Sequence, residues 1–158
     1  MKSKFSKEVL SILLYILLVI TGIGVILHFA RGLFLIFTDF NFSTVINLFT
    51  TTLYALNYYL VVKCLIGIIN STYDTPFVKE NVSKFRTMGY CLLINSIFET
   101  IIGYSSGTNR GFIQLIGSDN GAVTPIMVAL FVTSLMCFVM SEVFDKAIKI
   151  KNDNDLTI

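Results

Sequence analysis

From Val9 to Ala30 the chain runs for 22 residues without a formally charged side chain. About 20 apolar helical residues cross the ~30 Å hydrocarbon layer of a bilayer, and an ordinary soluble core has no place for so long a run. A secretory signal segment also joins a basic start to an apolar core, but that core spans only about 7–15 residues and ends at small residues. Neither condition holds here, so Val9–Ala30 reads as an uncleaved span.

Three more apolar runs follow, at 45–69, 88–104 and 122–144. Between the second and third lies the polar stretch Asn70–Gly89, NSTYDTPFVKENVSKFRTMG, the hinge of a two-plus-two arrangement. Charged residues make up only 14% of the chain and the mean hydropathy is +0.77. Soluble domains carry about a quarter charged residues. The fold expected is all-α, an integral membrane four-helix bundle forming a single domain over residues 1–158.

The ends of the third and fourth helices are expected to leave the bilayer. Asp74 or Thr75 can cap a helix whose first turn begins at Pro76. Val78, Val82, Phe85 and Gly89 then recur at helical spacing, while Lys79, Glu80, Ser83, Lys84 and Arg86 face away. This amphipathic stub leads directly into the third span. Val143–Lys151 has the same character, with Val143, Phe144, Ala147, Ile148 and Ile150 set among Asp145, Lys146, Lys149 and Lys151. The two apolar stripes are expected to cover each other, with Lys146 and Lys149 facing Glu80. Residues 105–121, rich in Gly, Ser and Asn, read as a loop, with 111–116 at the interface.

Orientation follows from the cations. Lys2, Lys4 and Lys7, then Lys79, Lys84 and Arg86, then Lys146, Lys149 and Lys151 make nine on one side, against Arg31 and Arg110 on the other. Short loops rich in Lys and Arg stay inside. Both termini and the hinge are therefore expected in the cytoplasm.

Each span also offers one stripe of small or polar residues. These are Thr21, Gly24, His28 and Arg31; Ala55, Tyr59, Lys63 and Gly67; Cys91, Asn95, Glu99 and Gly103; and Ala129, Thr133, Cys137 and Ser141. Such stripes face the bundle interior, where small residues let helices approach. An ionisable group in hydrocarbon needs a partner. His28 and Arg31 lie at the same outer level as Glu99, and Lys63 lies at the inner level of Glu142. These five form a candidate intramembrane polar site. The three cysteines all sit in apolar runs, without a CxxC pair, and read as small packing residues.

No nucleophile–base set, HExxH helix, phosphate loop or paired-carboxylate motif is present, and one His would have to serve every acid–base role. No enzyme is expected, and no metal or other cofactor. A net charge of +2 gives no reason to expect direct nucleic-acid binding.

At the hinge, Thr75-Pro76-Phe77 precedes Glu80-Asn81, Arg86 and Gly89; at the end, Ser141-Glu142-Val143-Phe144 precedes Ala147 and Asn154-Asp155-Leu156-Thr157-Ile158. In these two segments the chain resembles a bacterial four-span family, domain of unknown function 2975. The resemblance departs at Asp145-Lys146, where two basic residues are the commoner pattern. It implies a multi-pass protein of the bacterial inner membrane, often encoded beside a small helix-turn-helix regulator of the phage-repressor type. It brings no activity.

Two functions follow. One is a membrane-bound interaction or regulatory protein that holds a cytoplasmic partner, the helix-turn-helix regulator, on Thr75, Pro76, Phe77, Glu80, Asn81, Arg86, Lys146 and Lys149. The other is a small carrier, channel or stress-protection protein with a solute or ion site in the bundle centre.

Overall fold

The computed structural model describes residues 2–38, 41–73, 75–105, 115–118 and 121–155. Among them are four helices, α1 (Lys2–Thr38), α2 (Phe42–Ser71), α3 (Lys79–Ser105) and α4 (Pro125–Asp155), and two short strands, β1 (Ile116–Ser118) and β2 (Gly121–Val123). The described residues are mainly helical, as the apolar runs require. The chain divides within the polar hinge into two compact units, Met1–Asp74 and Thr75–Ile158. Each unit is a helical hairpin.

Three helices are long and apolar enough to cross a membrane: Lys7–Thr38, Phe42–Ser71 and Pro125–Asn154. The chain therefore has the make-up of a membrane protein. α3 is not in this set, although it is 27 residues long. Asn81, Asn95, Ser96, Glu99 and Thr100 dilute its apolar character.

Local chemistry sets the helix ends. At the start of α2 the Asn41 side chain accepts a hydrogen bond from the Ser43 amide at 3.1 Å, satisfying one of the orphan donors of the first turn. At the start of α4 the Thr124 hydroxyl accepts from the Met127 amide at 3.2 Å, and Pro125 takes the first helical position. Residues 122 and 123 thus belong to β2 and not to the fourth span, because β1 and β2 pair antiparallel with Ile116 opposite Val123. Asp74, Arg110 and residues 111–114 lie outside the described residues.

The hinge differs from expectation in one respect. Pro76 is not in the first turn of α3, which begins three residues later, at Lys79. Instead its carbonyl accepts from the Asn81 side-chain amide at 2.8 Å, and the Asn81 backbone amide donates to Val78 at 3.0 Å. Asn81 is fully buried and ties the incoming loop to the helix.

In the first hairpin Lys7, Ser11, Leu14, Leu18, Thr21, Val25, His28 and Gly32 of α1 are covered, in alternating steps of four and three, with Gly22 and Ile36 covered beside them. That 3.5-residue repeat is the seam of a left-handed coiled pair. Gly32 belongs on it because a Cβ there would collide with the Leu48 side chain. At the other end, Lys7 Nζ donates to the Thr72 carbonyl at 3.1 Å and lies 5.7 Å from the centre of the Tyr73 ring. A lysine from α1 thereby caps the last carbonyls of α2.

Candidate functional site

The second hairpin has the more specific construction. In α4, Leu130, Ser134, Cys137, Ser141 and Ile148 are buried, with Met127 and Phe144 half-buried on the same 3.5-residue repeat. Three hydroxyl bonds fix the register with α3. Ser96 Oγ donates to the Met127 carbonyl at 3.1 Å, Ser134 Oγ to Gly89 at 2.8 Å, and Ser141 Oγ to Val82 at 3.1 Å. Val82, Gly89 and Ser96 are seven residues apart, and so are Met127, Ser134 and Ser141. The ladder is therefore an antiparallel heptad pairing with one polar contact in each repeat. Gly89 lies under the Phe138 ring, so an added Cβ would come within 2.8 Å of it.

This seam corrects the expected inward stripe of α4. Cys137 and Ser141 are buried, but Ala129 and Thr133 are exposed, and the Thr133 hydroxyl turns back to the Ala129 carbonyl at 2.6 Å. Residues spaced by four advance about 40° per step on a helix of 3.6 residues per turn, so such a stripe drifts off the contact line. On α3, Cys91 and Asn95 are buried and Glu99 is half-buried.

Past the ladder the hairpin ends in an aromatic cluster. The Phe144 ring centre lies 5.2 Å from that of Phe85 and 5.8 Å from that of Phe77. The loop before α3, its first turns and α4 around Phe144 thus form one packed end; of the expected α4 stripe Phe144, Ala147 and Ile148 are covered, whereas Val143 and Ile150 are exposed. The expected facing of Lys146 and Lys149 on Glu80 does not form. Lys146 binds Glu142 at 2.8 Å, Lys149 binds Asp145 at 2.8 Å, and Glu80 lies 3.9 Å from Lys84. Each cation has an acid one turn back on its own helix, which is nearer than any on its neighbour. The hydrogen bond from Lys149 holds the Asp145 carboxyl below its usual range, and the fields of Arg86 and Lys79 act in the same direction.

Of the expected partner surface, Thr75, Phe77, Glu80, Arg86, Lys146 and Lys149 are exposed. Pro76 is half-buried and Asn81 is inaccessible, so these two shape the surface and do not present it.

The expected intramembrane site is distributed over both hairpins. His28, Arg31 and Lys63 belong to the first, Glu99 and Glu142 to the second. Arg31 and Lys63 are exposed. Glu142 is exposed and taken by Lys146. His28 Nε2 lies 2.6 Å from Thr51 Oγ1, whose own proton goes to the Asn47 carbonyl at 2.5 Å. With that proton on Asn47, Thr51 accepts from the imidazole and His28 donates from Nε2; the tautomer of His28 sets these roles. Sequence reasoning missed Thr51, although its position within the Thr50-Thr51-Thr52 run of a spanning helix is unusual.

An apolar groove of about 310 Å³ beside Phe29, Leu48, Phe49 and Leu56 offers shape but no chemistry. Cys91 and Cys137 are buried and Cys64 is half-buried, and none of the three is in a disulfide. Among the described residues no three His, Cys, Asp or Glu side chains gather as a metal site would require.

No curated protein and no solved structure matches the chain. A family model does match, over residues 36–158, which takes in α2, α3, both strands and α4 with the serine ladder and the aromatic end. By that match the chain belongs to the family described as "Protein of unknown function (DUF2975)".

Proposed function

We propose that this chain is a multi-pass membrane docking protein, not an enzyme, whose packed α3–α4 end holds a soluble protein on the cytoplasmic side of a bacterial inner membrane. The Phe77–Phe144–Phe85 cluster carries the reading. It makes the hinge loop and the end of α4 a single preformed surface. α4 is 31 residues long, about 46 Å, and exceeds the ~30 Å hydrocarbon layer by several turns. In those extra turns Ile150 is exposed by 62%, on the face away from α3, and Val143 on the same face lies at the end of the span. An apolar face leaving the bilayer there, flanked by Lys146 and Glu142, suits a partner helix. The resemblance points to a small helix-turn-helix regulator as that partner.

Four spans with both termini inside accompany this reading. α3 runs alongside α4 from Val82–Ser141 to Ser96–Met127, so it enters the membrane wherever α4 does. Its polar residues turn inward, and the lower hydropathy that sets it apart reflects that seam. The nine-to-two bias of Lys and Arg orients the set.

A solute site in the bundle centre has less support. The Ser96, Ser134 and Ser141 hydroxyls are all spent on backbone carbonyls, so the ladder serves packing.

The test is co-purification of the neighbouring helix-turn-helix regulator with the full chain and with a chain ending at Phe144. The full chain should retain the regulator through gel filtration and the shortened one should lose it, with the spans still inserted. Equal retention, or none by either form, removes the docking reading.

A further inference from the structure

One flank of the second hairpin remains unaccounted for by docking. Along α3, Lys79, Ser83, Arg86, Tyr90, Ile94, Ile97 and Ile101 follow one another in steps of four or three, which places them on a single line. All are exposed, and Tyr90 and the three isoleucines are 41–58% exposed. The line is ordered by chemistry: cations first, then an aromatic ring with a hydroxyl, then aliphatic side chains.

Among the described residues neither Lys79 nor Arg86 is held in an ion pair, although both act on the Asp145 carboxylate that Lys149 already binds. Glu142 and Glu80 are matched by Lys146 and Lys84. The Tyr90 ring is held edge-on to Phe138, with centres 5.1 Å apart, so its position is fixed. Tyrosine is the residue that sits where headgroups meet hydrocarbon. From Arg86 to Tyr90 the helix rises about 6 Å and from Tyr90 to Ile101 about 16 Å. Phosphate, glycerol ester and acyl chain follow in that order and over those lengths in a phospholipid.

We infer that this flank of α3 binds an anionic phospholipid, with Lys79 and Arg86 on the phosphate, the Tyr90 hydroxyl at the glycerol esters, and Ile94, Ile97 and Ile101 along an acyl chain. A bilayer lipid is the occupant because the serine ladder sets these isoleucines beside α4, one of the helices apolar enough to span. A water-soluble phosphate makes no use of them. The inference does not rest on the docking proposal, whose expected surface it shares at Arg86 alone.

The experiment reconstitutes the full chain in vesicles of equal phosphatidylcholine and phosphatidylglycerol, doped with either lipid carrying a photoreactive acyl chain. Labelled peptides are mapped by mass spectrometry. Label from phosphatidylglycerol should concentrate at residues 94–101 and exceed that from phosphatidylcholine by about fivefold per cation. Lys79→Gln with Arg86→Gln, both exposed positions that leave the fold intact, should bring the two lipids to parity. Soluble glycerol phosphate should not compete. Equal labelling by the two lipids in the parent, a preference that survives loss of both cations, or displacement by glycerol phosphate would each overturn the assignment.

Discussion

The Ser134 hydroxyl donates to the Gly89 carbonyl at 2.8 Å, and Phe138, one turn further along α4, fills the space that a side chain at Gly89 would need. One residue of α3 is thus held by a polar contact and a steric one at the same level. Gly89→Ala should destabilise the hairpin by about 1–3 kcal/mol, the usual range for overpacking. Detergent unfolding should show it, and Phe138→Leu should restore part of the loss in the double variant. Additive losses would mean the ring gives way freely.

The hydroxyls themselves should matter less. Gly89, Val82 and Met127 carbonyls lie within helices and keep their backbone partners when a serine is removed. Interhelical hydrogen bonds in membranes average about 0.6 kcal/mol. Ser134→Ala should therefore cost roughly that, and the triple variant at Ser96, Ser134 and Ser141 about three times as much. A loss several-fold larger in Ser134→Ala alone would show the ladder to be cooperative.

Much of this architecture is legible in composition. The uncharged runs give the helices, and the amphipathic stubs at Val82–Phe85 and Val143–Ile148 give a joint end that Phe77, Phe85 and Phe144 complete. The inward faces are harder to read. A step of four gathers Ala129 and Thr133 with Cys137 and Ser141, whereas the coiled pair follows 3.5 and buries Ser134 and Leu130 instead. In lipid, apolar residues carry no preference for the seam, so hydropathy cannot point inward. The β1–β2 pair escapes for another reason: three-residue strands have no periodicity to detect. Pairing of charges is illegible too, because Lys146 and Lys149 have acids on two helices to choose from and the nearer one wins.

At the aromatic end, Phe144 bridges Phe77 and Phe85, so removing it frees both partners. Phe144→Ala should cost about 2 kcal/mol, below the 3–5 typical of a fully buried ring because Phe144 is only half-buried. Hydrogen exchange over residues 77–86 should speed up, while residues 92–100, which pack elsewhere on α4, stay unchanged. Uniform acceleration along α3 would mean the end is not a separate clamp.

In the first hairpin the donor assignment makes an asymmetric prediction. With Thr51 donating to Asn47, Thr51→Val strands the His28 Nε2 proton, and an unsatisfied donor costs about 1–3 kcal/mol. His28→Leu leaves only a hydroxyl with a spare lone pair, a smaller loss. Thermal unfolding of both variants decides it. A larger loss in His28→Leu would reverse the tautomer and with it the direction of the bond.

The arrangement in the membrane rests on α3 following α4. If α1, α2 and α4 crossed and α3 did not, Ser83 near the start of α3 would lie inside and Asn154 at the end of α4 outside. The four-span arrangement proposed above keeps the two together, because Val82 is bonded to Ser141 at the same end of the hairpin at which Asn154 emerges. Single cysteines at Ser83 and Asn154, in a chain lacking Cys64, Cys91 and Cys137, should therefore behave alike. Both should resist an impermeant thiol reagent in intact cells, and a cysteine at Asn41, between α1 and α2, should label. Protection at Ser83 with labelling at Asn154 would break the pairing of α3 with α4. Labelling at both, with protection at Asn41, would keep the pairing and invert the orientation drawn from the cations.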